Sequence, residues 1–328
     1  MNNFKKIGMT ALAASLVSTS VFAGEMAVTG SASMAMEGHS GSDLHEATTF
    51  SMGNQLTFSG SGELDNGMTV SLSFVMDHGD PGFDGHSVTV SSDSMGTLAF
   101  HGEGGSSSAS AIDGAAAGDM WDNFNSNGGT SFKDSGPGDN SLMYTLPALV
   151  DGLSANVSYN PQISSGKTDE VLAATSTGNG SEIGYGLTYT GVEGLSVSYG
   201  VTDLDRRGST ALASQVAKGD QTSWKASYAY GSITVAASNS EYDVTGTTSD
   251  QELSSMKVSY TVSDAISIGY GTEEISVPGS VDAEFDGFSA SYTAGGMTLS
   301  ANMQDGKNMA NAAGTSAEYW GLGLAFAF

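Results

Sequence analysis

The chain has 328 residues, with 36 Asp and Glu set against 10 Lys and Arg, and a formal net charge of −26. It lacks the cations that neutralising phosphates requires, which excludes nucleic acid as a partner, and the absence of cysteine excludes disulfide frameworks and thiolate metal sites. Beyond a short N-terminal stretch no run reaches the roughly 18 apolar residues that a membrane helix needs, so a helical membrane protein is excluded and a β-barrel one is not.

Residues 1–23 read MNNFKKIGMTALAASLVSTSVFA. Lys5 and Lys6 form a charged start, an apolar stretch follows from Ile7, and Val21 and Ala23 occupy the positions a signal peptidase reads. This predicts export, with cleavage before Gly24 and a mature domain over 24–328. A chain without cysteine suits an oxidising envelope compartment.

From Gly24 onward the dominant pattern has period two, the signature of strands whose successive side chains face opposite sides. In GMTVSLSFVMD, Met68, Val70, Leu72, Phe74 and Met76 alternate with Thr69, Ser71, Ser73 and Val75. LSANVSYN, EIGYGLTY, LSVSYGV and WKASYAY repeat the texture, and WGLGLAFAF closes the chain. Taking each alternating run as a strand predicts about sixteen: 25–38, 46–63, 67–77, 86–92, 95–103, 140–147, 152–160, 180–191, 194–203, 220–230, 232–241, 251–262, 265–274, 283–294, 296–304 and 316–328.

The connections alternate in length. Tight turns such as Asp65-Asn66-Gly67 and Gly295-Gly296 are followed by longer polar segments such as 161–179 and 204–219. Short turns at one rim and long loops at the other are how an up-and-down membrane barrel is built. If the N-terminus lies in the periplasm, odd strands run outward and carry aromatics late: Phe74, Phe100, Tyr159, Tyr199 and Tyr270. Even strands run inward and end in Tyr144, Tyr189, Tyr230, Tyr260, Tyr292 and Phe328. A general preference of aromatics for strands does not sort them to opposite ends, whereas two membrane interfaces do. The fold class read here is all-β: a transmembrane, antiparallel, up-and-down barrel.

On its export signal, its opening strand GEMAVTGSASMAMEG, its long third loop at 104–139 and its closing strand ending in Phe328, the chain resembles a Gram-negative outer-membrane porin. It is similar to the sixteen-stranded general porins of alphaproteobacteria. The resemblance covers the mature chain as architecture; only the ending, with Phe326 and Phe328, is individually specific, since it resembles the signal read by the outer-membrane assembly machinery. It implies a homotrimer of water-filled pores in outer-membrane lipid, passing small polar solutes and cations by passive diffusion. It also implies a third loop folded inside the barrel with acidic side chains toward the channel. The matching positions are Asp113, Asp119, Asp122, Asp134 and Asp139, with a short helix over 107–117 and Met120, Trp121 and Phe124 as anchors to the wall.

Related porins place a cluster of basic residues opposite that loop, and here the sequence departs from the pattern. No Lys or Arg occurs between Gly24 and Phe132. Inward parity elsewhere offers Lys225 and Lys257, while Arg206 and Arg207 fall in a predicted loop. A lumen of one charge sign focuses its field, so a preference for cations is expected.

All five histidines lie between residues 39 and 101, and His39, His45 and His101 share inward parity with Glu103 nearby. They are candidates for a divalent metal or a pH-dependent charge at the outer mouth, against solvated loop histidines. No cofactor is required, although the acidic loops offer carboxylates to a divalent cation such as calcium. Small and polar outward residues on the first two strands, Gly30, Ala32, Met34, Met36, Asn54, Gly60 and Gly62, match the trimer contact of the resembled porins. The alternatives are a substrate-specific outer-membrane channel and, in a different class, a secreted acidic calcium-binding β-rich surface protein. A catalytic site needs a nucleophile beside an activated base, and no Gly-x-Ser-x-Gly elbow or comparable constellation stands out, so an enzyme is not expected.

Overall fold

Alternation of apolar with hydroxyl residues makes each run a two-faced ribbon, and such ribbons can hide their backbone polar groups only by pairing on both edges. In the computed structural model each ribbon pairs with a neighbour on both edges. It describes residues 26–41, 48–77, 83–127, 132, 140–161, 178–208, 218–244 and 250–328. The strands are β1 (Ala27–Gly41), β2 (Thr48–Glu63), β3 (Thr69–Asp77), β4 (Phe83–Ser92), β5 (Gly96–Glu103), β6 (Ser141–Thr145), β7 (Leu153–Asn160) and β8 (Gly178–Tyr189). They continue as β9 (Leu195–Gly208), β10 (Lys218–Tyr230), β11 (Ile233–Val244), β12 (Gln251–Ser263), β13 (Ile266–Ser276), β14 (Ala283–Ala294), β15 (Met297–Lys307) and β16 (Ser316–Ala327). Each pairs antiparallel with its sequence neighbours, and β1 pairs with β16 to close the barrel.

Tight turns sit where predicted. At the β2–β3 turn Gly67 has φ +79°, a conformation that glycine adopts without a Cβ penalty. The Asn66 side chain accepts the Met68 N–H at 3.1 Å.

Several boundaries differ from the sequence reading, each for a pairing reason. β6 stops at Thr145, because Pro147 has no N–H to continue the ladder. β9 runs on to Gly208, since Gly180 and Asn179 of β8 pair with Arg206 and Arg207; these two arginines are therefore strand residues, correcting their placement in a loop. The expected helix over 107–117 shrinks to one turn, α1 (Ser110–Asp113). Beyond it the amides of Ala116 and Ala117 donate to hydroxyls of the barrel wall, so they cannot continue the helical ladder.

The two faces of the sheet separate as the alternation demands. On β12, Met256, Val258 and Tyr260 are exposed outward, while Leu253 and Ser255, of the opposite parity, are buried on the inner side. The same holds on β3, where Leu72, Phe74 and Met76 face out. The largest cluster of buried apolar residues lies inside the barrel, under the segment that follows β5.

Candidate functional site

The segment after β5 is tethered to the inner wall along its length. Ser107 and Ser110 first cap each other: Ser107 N–H donates to Ser110 Oγ at 2.8 Å, and Ser110 N–H to Ser107 Oγ at 3.0 Å. This reciprocal pairing closes the turn that leads into α1. Ser108 N–H donates to Ser158 Oγ on β7 at 2.9 Å, and Ala109 N–H to Thr202 Oγ1 on β9 at 3.1 Å. Gly200 makes the approach possible, because a Cβ there would stand 2.9 Å from Ile112 Cδ1 and 3.0 Å from Ala109 Cα.

The chain then crosses β10 to β13. Ala116 N–H donates to Ser238 Oγ and Ala117 N–H to Ser255 Oγ, both at 2.8 Å. Lys225 Nζ donates to Gly114 O at 2.6 Å, and Lys257 Nζ to Ala117 O at 3.3 Å. A Cβ on Gly271 would stand 2.6 Å from that of Ala117, so only glycine admits the loop here. Trp121 N–H donates to Oε2 of Glu273, a carboxylate that is 3% exposed.

A 3-10 turn over Met120–Asn127 carries the segment to the last strands. Asn123 Nδ2 donates to Gln304 Oε1 on β15 at 2.9 Å. Phe124, 1% exposed, packs against Phe285 of β14 with ring centroids 5.4 Å apart and meets Tyr319 of β16 edge-on at 6.2 Å. Met120 is buried in the same cluster with Leu253, Ile275 and Ala283, and Trp121 packs against it. Every partner on the wall shares the parity opposite to that of the outward apolar side chains. Residues 107–124 therefore lie against the inner surface of β7 and β9–β16.

Of the acidic residues singled out in the sequence, Asp119 sits in this segment with φ +54°, its Oδ1 accepting the Ala115 N–H at 2.9 Å. Asp122 is exposed in the 3-10 turn. Asp113 ends α1, and its side chain, with Asp134 and Asp139, lies outside the described residues. The side chains of Arg206 and Arg207 do so as well.

His39 faces inward, its ring 5.1 Å from that of Tyr319. His101 and Glu103 are on β5, separated from His39 by β2, β3 and β4 in the barrel order. His45 is outside the described residues. Among the described residues no group of three or more His, Asp or Glu is placed to hold a metal ion. Phe326 pairs with Ala32 of β1 and Met297 of β15, and Phe328 follows at the closing seam.

The apolar shelf on the inner face is not among the features expected from the sequence. Leu253, Ile275 and Ala283 align in one row across β12, β13 and β14, with Phe285 beside them. A signal existed: each has parity opposite to the outward residues of its own strand, near the strand's outer end. Glu273, Ser238 and Ser255 gave none, since an inward polar residue is ordinary in such a strand.

A model of the Gram-negative porin family matches residues 8–285. Comparison with curated proteins finds no match. Among solved structures, a porin refined at 1.8 Å superposes with a TM-score of 0.64 at 19% identity, over 93% of this chain and 100% of its own. The anion-selective porin from Comamonas acidovorans gives 0.68 at 15% identity, over 93% and 99%. A mutant of Rh. blastica porin gives 0.63 at 18%, over 93% and 100%. With its apolar exterior, its closed sixteen-stranded sheet and a family match over most of its length, the chain belongs to the Gram-negative porins, channels of the bacterial outer membrane.

Proposed function

We propose that this porin is a passive diffusion channel for ions and small hydrophilic solutes, that it prefers cations, and that it works as a homotrimer. The preference rests on one observation. The described part of the loop lies against the wall from β7 round to β16, and strands β1–β6 contain no Lys or Arg at all. Glu37, Asp77 and Glu103 on those strands share the inward parity. With carboxylates and no fixed cation on β1–β6, the field inside favours positive ions. The Comamonas acidovorans porin is anion-selective; on one fold, the sign follows from which side chains line the path. A reversal potential measured across a planar bilayer in a KCl gradient tests this, and chloride preference would overturn it.

The trimer reading is supported by the outward face of β1 and β2. Met34, Phe50 and Met52 are exposed there, Phe50 at 81%, beside Gly30 and Ala32. Residues 1–23 serve as the export signal, cleaved before Gly24, and Phe328 serves the assembly machinery. N-terminal sequencing and the native mass of detergent-extracted protein check the first and the trimer; outer-membrane yield of a chain lacking Phe328 checks the last.

A further inference from the structure

Lys225 on β10 and Lys257 on β12 are placed differently from charges that line an ion path. Each ammonium donates to a backbone carbonyl of the loop, Lys225 to Gly114 O and Lys257 to Ala117 O. Between those two carbonyls, the amides of Ala116 and Ala117 donate to Ser238 and Ser255. Gly114 O and Ala117 O thus meet cations, and the Ala116 and Ala117 amides meet hydroxyls, all from β10–β12.

The local backbone is built around this contact. A Cβ on Gly114 would lie 3.7 Å from Lys225 Nζ and 3.8 Å from Asp119 Oδ2, so the ammonium and a loop carboxylate flank the same glycine. Gly269 leaves similar room for the Lys257 stem, whose Cε would be 3.3 Å from its Cβ. A hydrogen bond from a charged donor is about twice as strong as a neutral one. Two such bonds from neighbouring even strands hold the loop at two points, either side of its Ala116–Ala117 amides.

We infer that Lys225 and Lys257 are positioning residues, whose charge holds the loop against β10–β12 and thereby sets the channel's free width, instead of acting on permeating ions. The inference rests on the channel reading above and assigns the two lysines a part within it.

Single-channel recordings and reversal potentials on the full-length protein distinguish the two roles. Losing one charge-assisted bond raises the occupancy of displaced-loop conductance levels roughly tenfold or more. Lys225→Met and Lys257→Met are therefore expected to give noisy channels with extra conductance levels and an unchanged permeability ratio, and Lys225→Arg to restore a quiet channel. Quiet channels whose permeability ratio moves toward cations would overturn the inference, because the lysines would then be acting on the ions. If the Met variants fail to assemble as heat-modifiable barrels, Lys225→Gln and Lys257→Gln carry the same comparison, with unchanged noise again overturning it. A wild-type protein that conducts no ions would overturn the channel reading instead.

Discussion

Phe328 and Gly30 close the barrel by exchanging two backbone hydrogen bonds, Gly30 N–H to Phe328 O at 2.7 Å and Phe328 N–H to Gly30 O at 2.9 Å. The phenyl ring covers the glycine, since a Cβ on residue 30 would stand 2.5 Å from Phe328 Cε2. Higher on the same seam the indole of Trp320 covers Gly38, its directly paired partner, with Cζ2 2.8 Å from where a Cβ would be. An aromatic ring over a glycine on the neighbouring strand shields backbone that would otherwise lie bare and pins the register. Gly30→Val or Gly38→Val displaces the ring and is expected to cost about 1–3 kcal/mol. The temperature at which the folded band converts to the unfolded one on a detergent gel should fall accordingly.

The Phe124 ring, 1% exposed, is an apolar anchor of the loop on the wall. Phe124→Ala should weaken docking of the loop by about 3–5 kcal/mol, the usual cost of emptying a buried phenylalanine site. The barrel's own pairing does not depend on that ring, so the variant should keep its heat-modifiable band while single-channel conductance rises. A conductance equal to wild type would mean that the loop does not limit flow.

Ser238 and Ser255 accept amides that the loop cannot satisfy internally. Removing either hydroxyl by Ser→Ala strands one N–H, at about 1–3 kcal/mol each. Amide hydrogen exchange at Ala116 in Ser238→Ala, and at Ala117 in Ser255→Ala, should accelerate, while exchange in β1–β5 stays unchanged.

Adjacent residues of β12 test the two faces. Val258 points outward and is exposed, whereas Ser259 has the inward parity. Val258→Arg is expected to destabilise the barrel by about 2–4 kcal/mol if it sits near the membrane midplane. Ser259→Arg should assemble normally and move the reversal potential toward chloride. Equal effects at both positions would contradict a barrel with lipid outside and water inside.

A fixed cation on the wall formed by β1–β6 should act more strongly still. Ser73 of β3 lies on the inner side of that wall, and Ser73→Lys is expected to lower the cation-to-anion permeability ratio in planar bilayers without changing channel yield. An unchanged ratio would show that ions pass elsewhere.

The barrel itself was legible in the residue order because its cause is local. Period-two alternation forces a two-faced strand, turn residues at regular spacing set antiparallel neighbours, and a chain of such strands in lipid has to close. Strand ends were less legible: whether Arg206 continues β9 depends on Gly180 of β8 standing opposite it. The loop's seat was decided by the tertiary structure alone. Lys225 and Gly114 are 111 residues apart and Trp121 and Glu273 are 152 apart, so no local pattern links them. Leu253, Ile275 and Ala283 form a shelf only once register brings three strands side by side. Alternation tells a side chain which face to take, and closure of the sheet determines what it meets there.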